Sequence, residues 1–580
     1  MSRKFKRGER ERERERERPI RRSGCSCVAC LGGRLSRGDW LWHALPLAMA
    51  SPSSHSMRDV ASHYANKLLQ DDSHFLTLKG VMRSMLKSPL RVATACSGTD
   101  GIIKWLGVFS CVLGSLGVLP PVGSFFDFLF ACEFDKDIYK FHTDQFGSSV
   151  SLFRDIRDLG QEFGAFEVHS GALLLVPWVS LFICGFSCKD VSIQSSRKRE
   201  RSDTIRTGMH STGSTWHGVL DYLANNRPWV CLCENVEGLL SHLDDMQKQV
   251  AAVGYQLRSI RLNADQFCLP QKRPRVFLII TVSGYDFPWA EFCKTIDLLK
   301  TPPLDIRTVL ASSRGTSCGV EEFGSSGIEE PGDAPPRRSK TNGKGPGEKW
   351  IAQHQAIFEA AGLPFVIPTD DELGSCASAG MKSLTLRERS IVEYWLSNGC
   401  TEGFLDVSES LDRFQPIHAD RISCITCSSV HYDFGVDELL SLPAQWNLQG
   451  LDWNSWENLA RYPYRLLKTL VGNSFSVPNM AAVVSALLLS LQWPRSEQEQ
   501  LIWMKRGIPR EPAPPSPDIE DDTKIFEFGC SGVDAIVEDD LSSEDDASSD
   551  EGIGRTEVQE LSPAPTHAEF QDLAELASLC

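Results

Sequence analysis

The chain has 580 residues, of which 42% are hydrophobic, so it has room for two or three domains of ordinary globular composition. Its formal net charge of -16 is uneven, because fourteen acidic residues and one lysine between Asp518 and Glu551 hold about -13 of it. The remainder is close to neutral, and charge therefore neither excludes nor favours a polyanionic substrate.

The 19 cysteines, an odd number with no secretory signal ahead of them, favour a reducing compartment such as the nucleus or cytosol. Cys25, Cys27 and Cys30 have metal-ligand spacing, but no second cluster follows, so we expect no metal site. Residues 1–22 carry eleven basic and five acidic side chains, and we predict a disordered Arg/Glu-rich tail over 1–56. No apolar run reaches the roughly 18 residues of a membrane span, so no membrane partner is expected.

Strand and helix patterns alternate from residue 57 onwards. A helical pattern runs through Met85, and an apolar helix begins at Ile102. Seven apolar, branched segments are predicted as strands: 91–96, 125–132, 151–153, 179–184, 229–233, 255–262 and 276–282. Strands separated by helices predict an α/β fold with a doubly wound, mostly parallel sheet.

The remaining segments divide by composition. We predict a catalytic core over 57–285, a smaller region over 286–435 with a disordered insertion at 310–347, and a return to the core over 436–495. Residues 496–580 are Pro-rich and then acidic, which predicts a disordered tail available to protein partners.

Chemistry-bearing residues follow the predicted strands where each strand ends. They are the turn Ser97–Gly101, Glu133, Asp155, Cys188 and Glu234. Ligands of open α/β sheets bind beyond the carboxyl ends of strands, so Cys188 is a candidate nucleophile and Glu133 a candidate ribose ligand. The glycine turn is not a GxGxxG fingerprint, which disfavours a nicotinamide enzyme.

The ordered motifs resemble those of the cytosine carbon-5 DNA methyltransferases. They are Ser97-Gly98-Thr99-Asp100-Gly101, Glu133, Asp155, Ser187-Cys188, Glu234-Asn235-Val236, Gln271-Lys-Arg273-Pro-Arg275 and Gly472-Asn473-Ser474. The resemblance covers roughly 90–285 and 435–490 and implies a Rossmann-like class I methyltransferase fold. It also implies that the variable smaller region is a target-recognition domain and that DNA is the substrate.

The resemblance implies roles for individual residues. Cys188 would add to carbon 6 of a flipped cytosine, Glu234 would hold or protonate ring nitrogen 3, and Arg273 and Arg275 would contact the base oxygen and stabilise the loop. S-adenosyl-L-methionine would be the methyl donor. Its site would comprise Ser97, Gly98, Thr99, Asp100, Gly101, Glu133, Phe134, Asp155, Ile156 and Asn473.

Three alternatives stay open at this point. Phe186-Ser187-Cys188-Lys189 replaces the family's Pro-Pro-Cys-Gln, which removes a backbone restraint and admits a cofactor-binding regulator without catalysis. The tRNA-directed branch shares the same motifs and chemistry. Either 383–388 or 421–426 could be the segment that returns to the core. We expect a monomer in the nucleus, with the cytoplasm as the alternative location.

Overall fold

The structure, a computed structural model, describes residues 56–120, 124–192, 203–314, 349–366, 379–412, 417–493 and 502. The predictions for the N-terminal tail with Cys25, Cys27 and Cys30, for most of the insertion, and for the acidic tail lie outside these residues. The first five positions of the predicted insertion, 310–314, lie in a helix that begins at Ile306.

Within the described residues there are twelve strands: β1 (Leu90–Ala95), β2 (Phe126–Cys132), β3 (Ser151–Phe153), β4 (Ala165–Glu167), β5 (Ala172–Leu174), β6 (Leu181–Cys184), β7 (Val230–Asn235), β8 (Tyr255–Asn263), β9 (Pro274–Val282), β10 (Phe404–Asp406), β11 (His431–Asp433) and β12 (Glu438–Leu439). All seven predicted strands occur. The hairpin of β4 and β5 was not predicted, because its three-residue strands are too short for a periodic pattern and β5 is exposed along its length.

The same residues form fifteen α-helices: α1 (Met57–Gln70), α2 (Asp72–Lys87), α3 (Gly101–Ser115), α4 (Lys136–Phe146), α5 (Thr204–Thr207), α6 (His210–Asn226), α7 (Leu243–Ala252), α8 (Trp289–Leu299), α9 (Ile306–Arg314), α10 (Lys349–Ala360), α11 (Ala379–Ser383), α12 (Leu386–Ser397), α13 (Leu442–Leu448), α14 (Tyr464–Asn473) and α15 (Val477–Ser490). No single described helix is long and apolar enough to cross a membrane; α14 and α15, joined at a 42° bend, pass that test together by length and composition only.

Nine strands form one sheet in the order β5-β4-β3-β2-β1-β6-β7-β9-β8. Five adjacent strands of this sheet, β3, β2, β1, β6 and β7, are parallel to one another. This confirms the predicted doubly wound α/β fold. The predicted sixth and seventh strands differ from a simple parallel series: β9 inserts between β7 and β8 and runs antiparallel to both. A short connection between β8 and β9, without a helical crossover, explains this direction.

The sheet changes its winding direction between β1 and β6. Strands β2 and β3 lie on one side of β1, whereas β6 and β7 lie on the other. The loops after β1 and β6 are therefore adjacent, and a Cβ atom placed on Gly185 would lie 2.6 Å from the carbonyl oxygen of Cys96. Such a switch point is where doubly wound folds bind ligands.

A second hydrophobic cluster lies in the smaller region and packs around the β10-β11-β12 sheet. Its buried members are Met381, Leu384, Ile391, Val392, Leu405, Val407, Tyr432 and Phe434. Ile422 and Ile425 instead belong to the main core. The two candidates for the segment that returns to the core therefore differ in packing. Segment 421–426 packs on the main core, whereas Leu384 of segment 383–388 packs in the second cluster. The predicted domain limits themselves remain predictions.

Candidate active site

The turn after β1 has a left-handed backbone. Gly98 has φ +75° and Asp100 has φ +55°. The Gly98 N–H donates to Glu133 Oε1 at 2.9 Å, and a Cβ atom on Gly98 would lie 3.0 Å from Ser474 Oγ. Only glycine combines a left-handed backbone with so close an approach to Ser474. Through these two contacts the turn connects the ends of β1 and β2 with the segment after α14.

Glu133 and Phe134 place a carboxyl group and an aromatic ring beside this turn. Glu133 is 7% exposed, and Phe134 is 61% exposed. Burial, reinforced by the charge of Asp100 and opposed by the backbone N–H groups of Gly98 and Ser97, raises the pKa of Glu133 to about 8. A carboxyl group able to accept from hydroxyls and an open ring face suit a ribose and an adenine respectively.

Asp155, the predicted partner of the adenine amino group, is already paired. Arg157 Nε lies 2.9 and 3.0 Å from its two carboxylate oxygens, and the Arg157 guanidinium lies 5.8 Å from the centre of the Phe134 ring. Burial would raise the pKa of Asp155, but the hydrogen bonds from Arg157 outweigh burial and lower it. Ile156 beside it is buried. Arg157 therefore belongs to this site, although its exposed position two residues after Asp155 gave no signal.

His142 on α4 contacts the turn at two points, and the sequence analysis did not predict this contact. Its Nδ1 lies 3.2 Å from Asp100 Oδ2, and its Nε2 lies 3.3 Å from the carbonyl oxygen of Gly98. Burial lowers the pKa of His142, and Asp100 opposes this effect. One buried histidine in a helix carries no signal of such a contact in the sequence.

The Asn473 side chain contacts Cys427, while its backbone carbonyl carbon would lie 3.2 Å from a Cβ atom on Gly98. That Asn473 lines the cofactor site stays a prediction. Asn473 Oδ1 accepts from Cys427 Sγ at 2.9 Å, whereas Ser474 Oγ contacts Thr99 N at 3.2 Å and Thr99 Oγ1 at 2.9 Å. Asn473 is exposed and Ser474 is buried. The end of α14 thus reaches the turn through the serine.

The loop that carries Cys188 is held by side chains in place of a proline. Asn235 Nδ2 donates to the carbonyl oxygen of Phe186 at 3.0 Å. The Ser187 N–H donates to Thr215 Oγ1 at 3.1 Å, and Ser187 Oγ lies 2.7 Å from Ser211 Oγ. The restraint that the sequence departure removes is therefore replaced from β7 and α6. Lys189 is exposed.

Glu234 and Arg275 form a largely buried ion pair where β7 ends and β9 begins. Arg275 Nε lies 2.9 Å from Glu234 Oε1. Burial alone would lower the pKa of Arg275, but Cys424 and Glu234 beside it outweigh burial and raise it. The carboxylate and the guanidinium thus fix each other in one arrangement.

Arg273, two residues earlier, has a different role from Arg275. Its Nη1 donates to the carbonyl oxygen of Ile425 at 2.6 Å, and its Nη2 donates to that of Ser474 at 2.9 Å. The Lys272 N–H donates to the carbonyl oxygen of Ile422 at 2.8 Å. The Gln-x-Arg-x-Arg segment therefore fastens the returning segment to the core through Arg273 and presents Arg275 to Glu234.

These charged groups act on Cys188. Burial raises the pKa of its thiol, Arg275 and Arg273 lower it, Glu234 raises it, and the net direction is upward. The predicted catalytic residues Cys188, Glu234, Arg273 and Arg275 are thus brought into one electrostatic cluster, with Cys188 held as the thiol in the free protein.

Two further arginines, outside the cluster of Cys188, are held by groups of the protein itself. Arg387 donates to the carbonyl oxygens of Glu409 and Ser408, and Arg421 pairs with Asp265 at 3.0 Å. Among the described residues, no group of three His, Cys, Asp or Glu side chains is placed to hold a metal ion.

Comparisons with known proteins found several sequence similarities. The family model for C-5 cytosine-specific DNA methylases matches residues 106–311. The chain is 27% identical over 224 residues to DNA (cytosine-5-)-methyltransferase DMT5 of Cryptococcus neoformans var. grubii, which covers 37% of this chain and 9% of that protein. It is also 27% identical over 158 residues to the type II methyltransferase M.DsaV of Dactylococcopsis salina, covering 26% of this chain and 38% of that protein. The chain thus spans well under half the length of the curated relatives it matches.

Solved structures matched by this chain include Dnmt2 methyltransferase of S. pombe, with a TM-score of 0.38 and 14% identity. That match covers 70% of this chain and all of the other. The methyltransferase EhMeth of Entamoeba histolytica matches with a TM-score of 0.39 and 11% identity over 70% of this chain and all of the other.

Proposed function

We propose that this protein transfers a methyl group from S-adenosyl-L-methionine to carbon 5 of cytosine in DNA, and the match of residues 106–311 to the family model for C-5 cytosine-specific DNA methylases supports this proposal. The observation that carries the proposal is the Glu234–Arg275 pair beside the Cys188 thiol. A nucleophile, a carboxyl group and a guanidinium converging at one sheet edge are the groups that activation of a cytosine ring requires.

The steps follow from the placement of these groups. Cys188 loses its proton to solvent, and its sulfur then forms a bond to carbon 6 of the base as the double bond between carbons 5 and 6 opens, which makes carbon 5 nucleophilic. Glu234 shares a proton with ring nitrogen 3 as electrons move into the ring, and Arg275 holds the carboxyl group and faces the base oxygen. After carbon 5 is methylated, a base removes its proton and the bond between carbon 6 and the Cys188 sulfur breaks, which restores the ring double bond and releases Cys188 as a thiolate that regains a proton from solvent.

The described residues fit the methyl donor that this family uses. S-adenosyl-L-methionine supplies an electrophilic methyl group on its sulfonium when bound. Glu133 would accept from the ribose hydroxyls, Phe134 would face the adenine, and the backbone of Ser97–Gly101 would surround the remainder. Asp155 would receive the adenine amino group only by sharing its carboxylate with Arg157.

Catalysis is favoured over a regulator that only binds cofactor. The three hydrogen bonds that hold Phe186 and Ser187 replace the rigid backbone of the family's proline. The loop so held keeps Cys188 within the electrostatic influence of Glu234 and Arg275, as a nucleophile of this reaction requires.

We also propose that the protein acts as a monomer in the nucleus. The location is supported by the 19 cysteines, an odd number that favours a reducing compartment, and by the basic side chains within residues 1–22. Localisation of the tagged full-length protein, with and without residues 1–22, tests the location, and light scattering tests the monomer.

The activity is tested by transfer of labelled methyl groups from S-adenosyl-L-methionine to duplex DNA and, in parallel, to total tRNA. We expect label on DNA cytosine that Cys188→Ala abolishes. Label on tRNA alone would assign the chain to the tRNA-directed branch. Cofactor binding without label on either would favour the regulator and contradict the proposal.

A further inference from the structure

A second thiol, that of Cys424, lies between the two arginines of the cluster. Arg273 Nη1 donates to Cys424 Sγ at 3.2 Å, and Arg275 Nη2 donates to the same sulfur at 3.4 Å. Cys424 is carried by the returning segment, next to Ile425, whose carbonyl oxygen also accepts from Arg273. The sulfur, which lies on a segment distant in sequence from both arginines, therefore bridges their two guanidinium groups.

The charges around this sulfur favour an anion. Arg273 is a buried cation and Arg275 a half-buried one, and among the described residues Glu234 is the carboxylate that pairs with Arg275. Two positive charges and one negative charge leave one cation uncompensated, which is unfavourable away from water. A Cys424 thiolate would make the group of four side chains neutral.

The two thiols of this region differ in how readily they ionise. Burial raises the pKa of Cys424, but Arg275 and Arg273 together outweigh burial and lower it. The same two arginines act on Cys188, yet burial and Glu234 leave the pKa of Cys188 raised. Cys424 is thus the first of the two thiols to lose its proton as pH rises.

We propose that Cys424 is a positioning residue of the active site, whose sulfur holds the Arg275 guanidinium against Glu234 and compensates the second arginine. The proposal rests on the proposed function for its effect on catalysis. Its electrostatic part does not, because it concerns only side chains of this chain.

The proposal has a consequence for Cys188 that a purely packing role lacks. While Cys424 is anionic, it neutralises the field of the arginines that would otherwise favour a Cys188 thiolate. Removing the negative charge at position 424 should therefore lower the pKa of Cys188, even as it loosens Arg275 and slows methyl transfer.

The test measures iodoacetamide alkylation of each cysteine against pH, resolved by mass spectrometry, in the full-length protein. Variants are Cys424→Ser, which keeps the size but not the charge, and Cys424→Asp, which restores a negative charge. Cys400→Ser is the matched control, because Cys400 is half-buried in the smaller region and hydrogen-bonds only to the Glu402 carbonyl among the contacts described for it.

In the wild type we expect half-maximal alkylation of Cys424 at a lower pH than that of Cys188. In Cys424→Ser we expect about tenfold more alkylation of Cys188 at pH 7, since one pKa unit is tenfold in thiolate fraction. Cys424→Asp should restore the wild-type profile of Cys188 and part of kcat, and Cys400→Ser should change neither.

An alkylation midpoint of Cys424 at or above that of Cys188 in the wild type would overturn the proposal without any variant. So would an unchanged Cys188 profile in Cys424→Ser. Absence of methyl transfer by the wild type, with the expected alkylation profiles, would instead refute the proposed function and leave the electrostatic role of Cys424 standing.

Discussion

Ser474 Oγ lies 2.9 Å from Thr99 Oγ1, so a residue at the end of α14 bonds to the turn after β1 across 375 positions of sequence. The same hydroxyl oxygen lies 3.2 Å from the Thr99 backbone N. The carbonyl oxygen of Ser474 accepts from Arg273. One residue thus connects the proposed cofactor turn to the proposed catalytic arginines.

Ser474→Ala should weaken binding of S-adenosyl-L-methionine about tenfold. Each lost hydrogen bond of this kind contributes about 0.5–1.5 kcal/mol, and the turn is left unsupported on one side. Calorimetric titration measures the Kd, and Ser428→Ala, an exposed serine on the returning segment, serves as control. Equal affinities of the two variants would show that the turn does not depend on Ser474.

Binding of the methyl donor should strengthen as pH rises towards about 8. Below its raised pKa of about 8, Glu133 is protonated in the free protein. Ribose hydroxyls donate best to the carboxylate, so below pH 8 binding must first remove this proton, and above it the affinity levels off.

Glu133→Gln should abolish this pH dependence and weaken binding at pH 8. The measurement is the Kd at intervals between pH 6 and 9 for both proteins. A wild-type Kd that stays constant over this range would place Glu133 outside the ribose site.

Glu234→Gln should lower kcat by about 10²–10⁴ while leaving binding of the methyl donor intact. The amide keeps the shape of the carboxyl group but cannot share a proton with the base, and general acid–base contributions have this magnitude. Single-turnover methyl transfer measures the rate, and titration with the methyl donor checks the fold of its site. A variant with full activity would remove Glu234 from the mechanism.

Gly185→Ala should reduce the free energy of unfolding by about 1–3 kcal/mol, because overpacking at a closed contact has this cost. Its Cβ atom would lie 2.6 Å from the Cys96 carbonyl oxygen and 2.7 Å from Phe475 Cε1. Gly80→Ala in α2 is the matched control: no atom lies within 4 Å of its Cβ atom, and helix propensity should stabilise it by up to about 1 kcal/mol. Urea denaturation compares the two, and equal stabilities would contradict the close approach at the switch point.

The sequence was sufficient to predict the strands of the parallel centre, since each is a short apolar run that ends in a polar residue. It could not predict that β9 inserts antiparallel between β7 and β8, because pairing partners leave no local pattern. Arg157, His142 and Cys424 were missed for the same reason. Each acts through a tertiary contact, and none belongs to a motif.

The roles of the site residues stay predictions, but Glu133 and Cys188 do follow the strands β2 and β6 as the sequence indicated. Spacing alone could not distinguish the contacts of neighbouring polar residues. Asn473 and Ser474 are adjacent and polar, and only the direction of α14 determines that the serine reaches Thr99. Arg273 and Arg275 are the same residue type in one motif, so the sequence does not distinguish them. In the structure Arg273 bonds to the returning segment, whereas Arg275 pairs with Glu234.

Covalent trapping tests the central claim most directly. Duplex DNA containing 5-fluorocytosine is incubated with the protein and S-adenosyl-L-methionine, because fluorine at carbon 5 prevents the proton loss that releases the sulfur. We predict a denaturant-stable adduct that peptide mass spectrometry maps to Cys188 and that Cys188→Ser does not form. An adduct at another cysteine, or none from a wild type that binds both ligands, would contradict the assignment of Cys188 as the nucleophile.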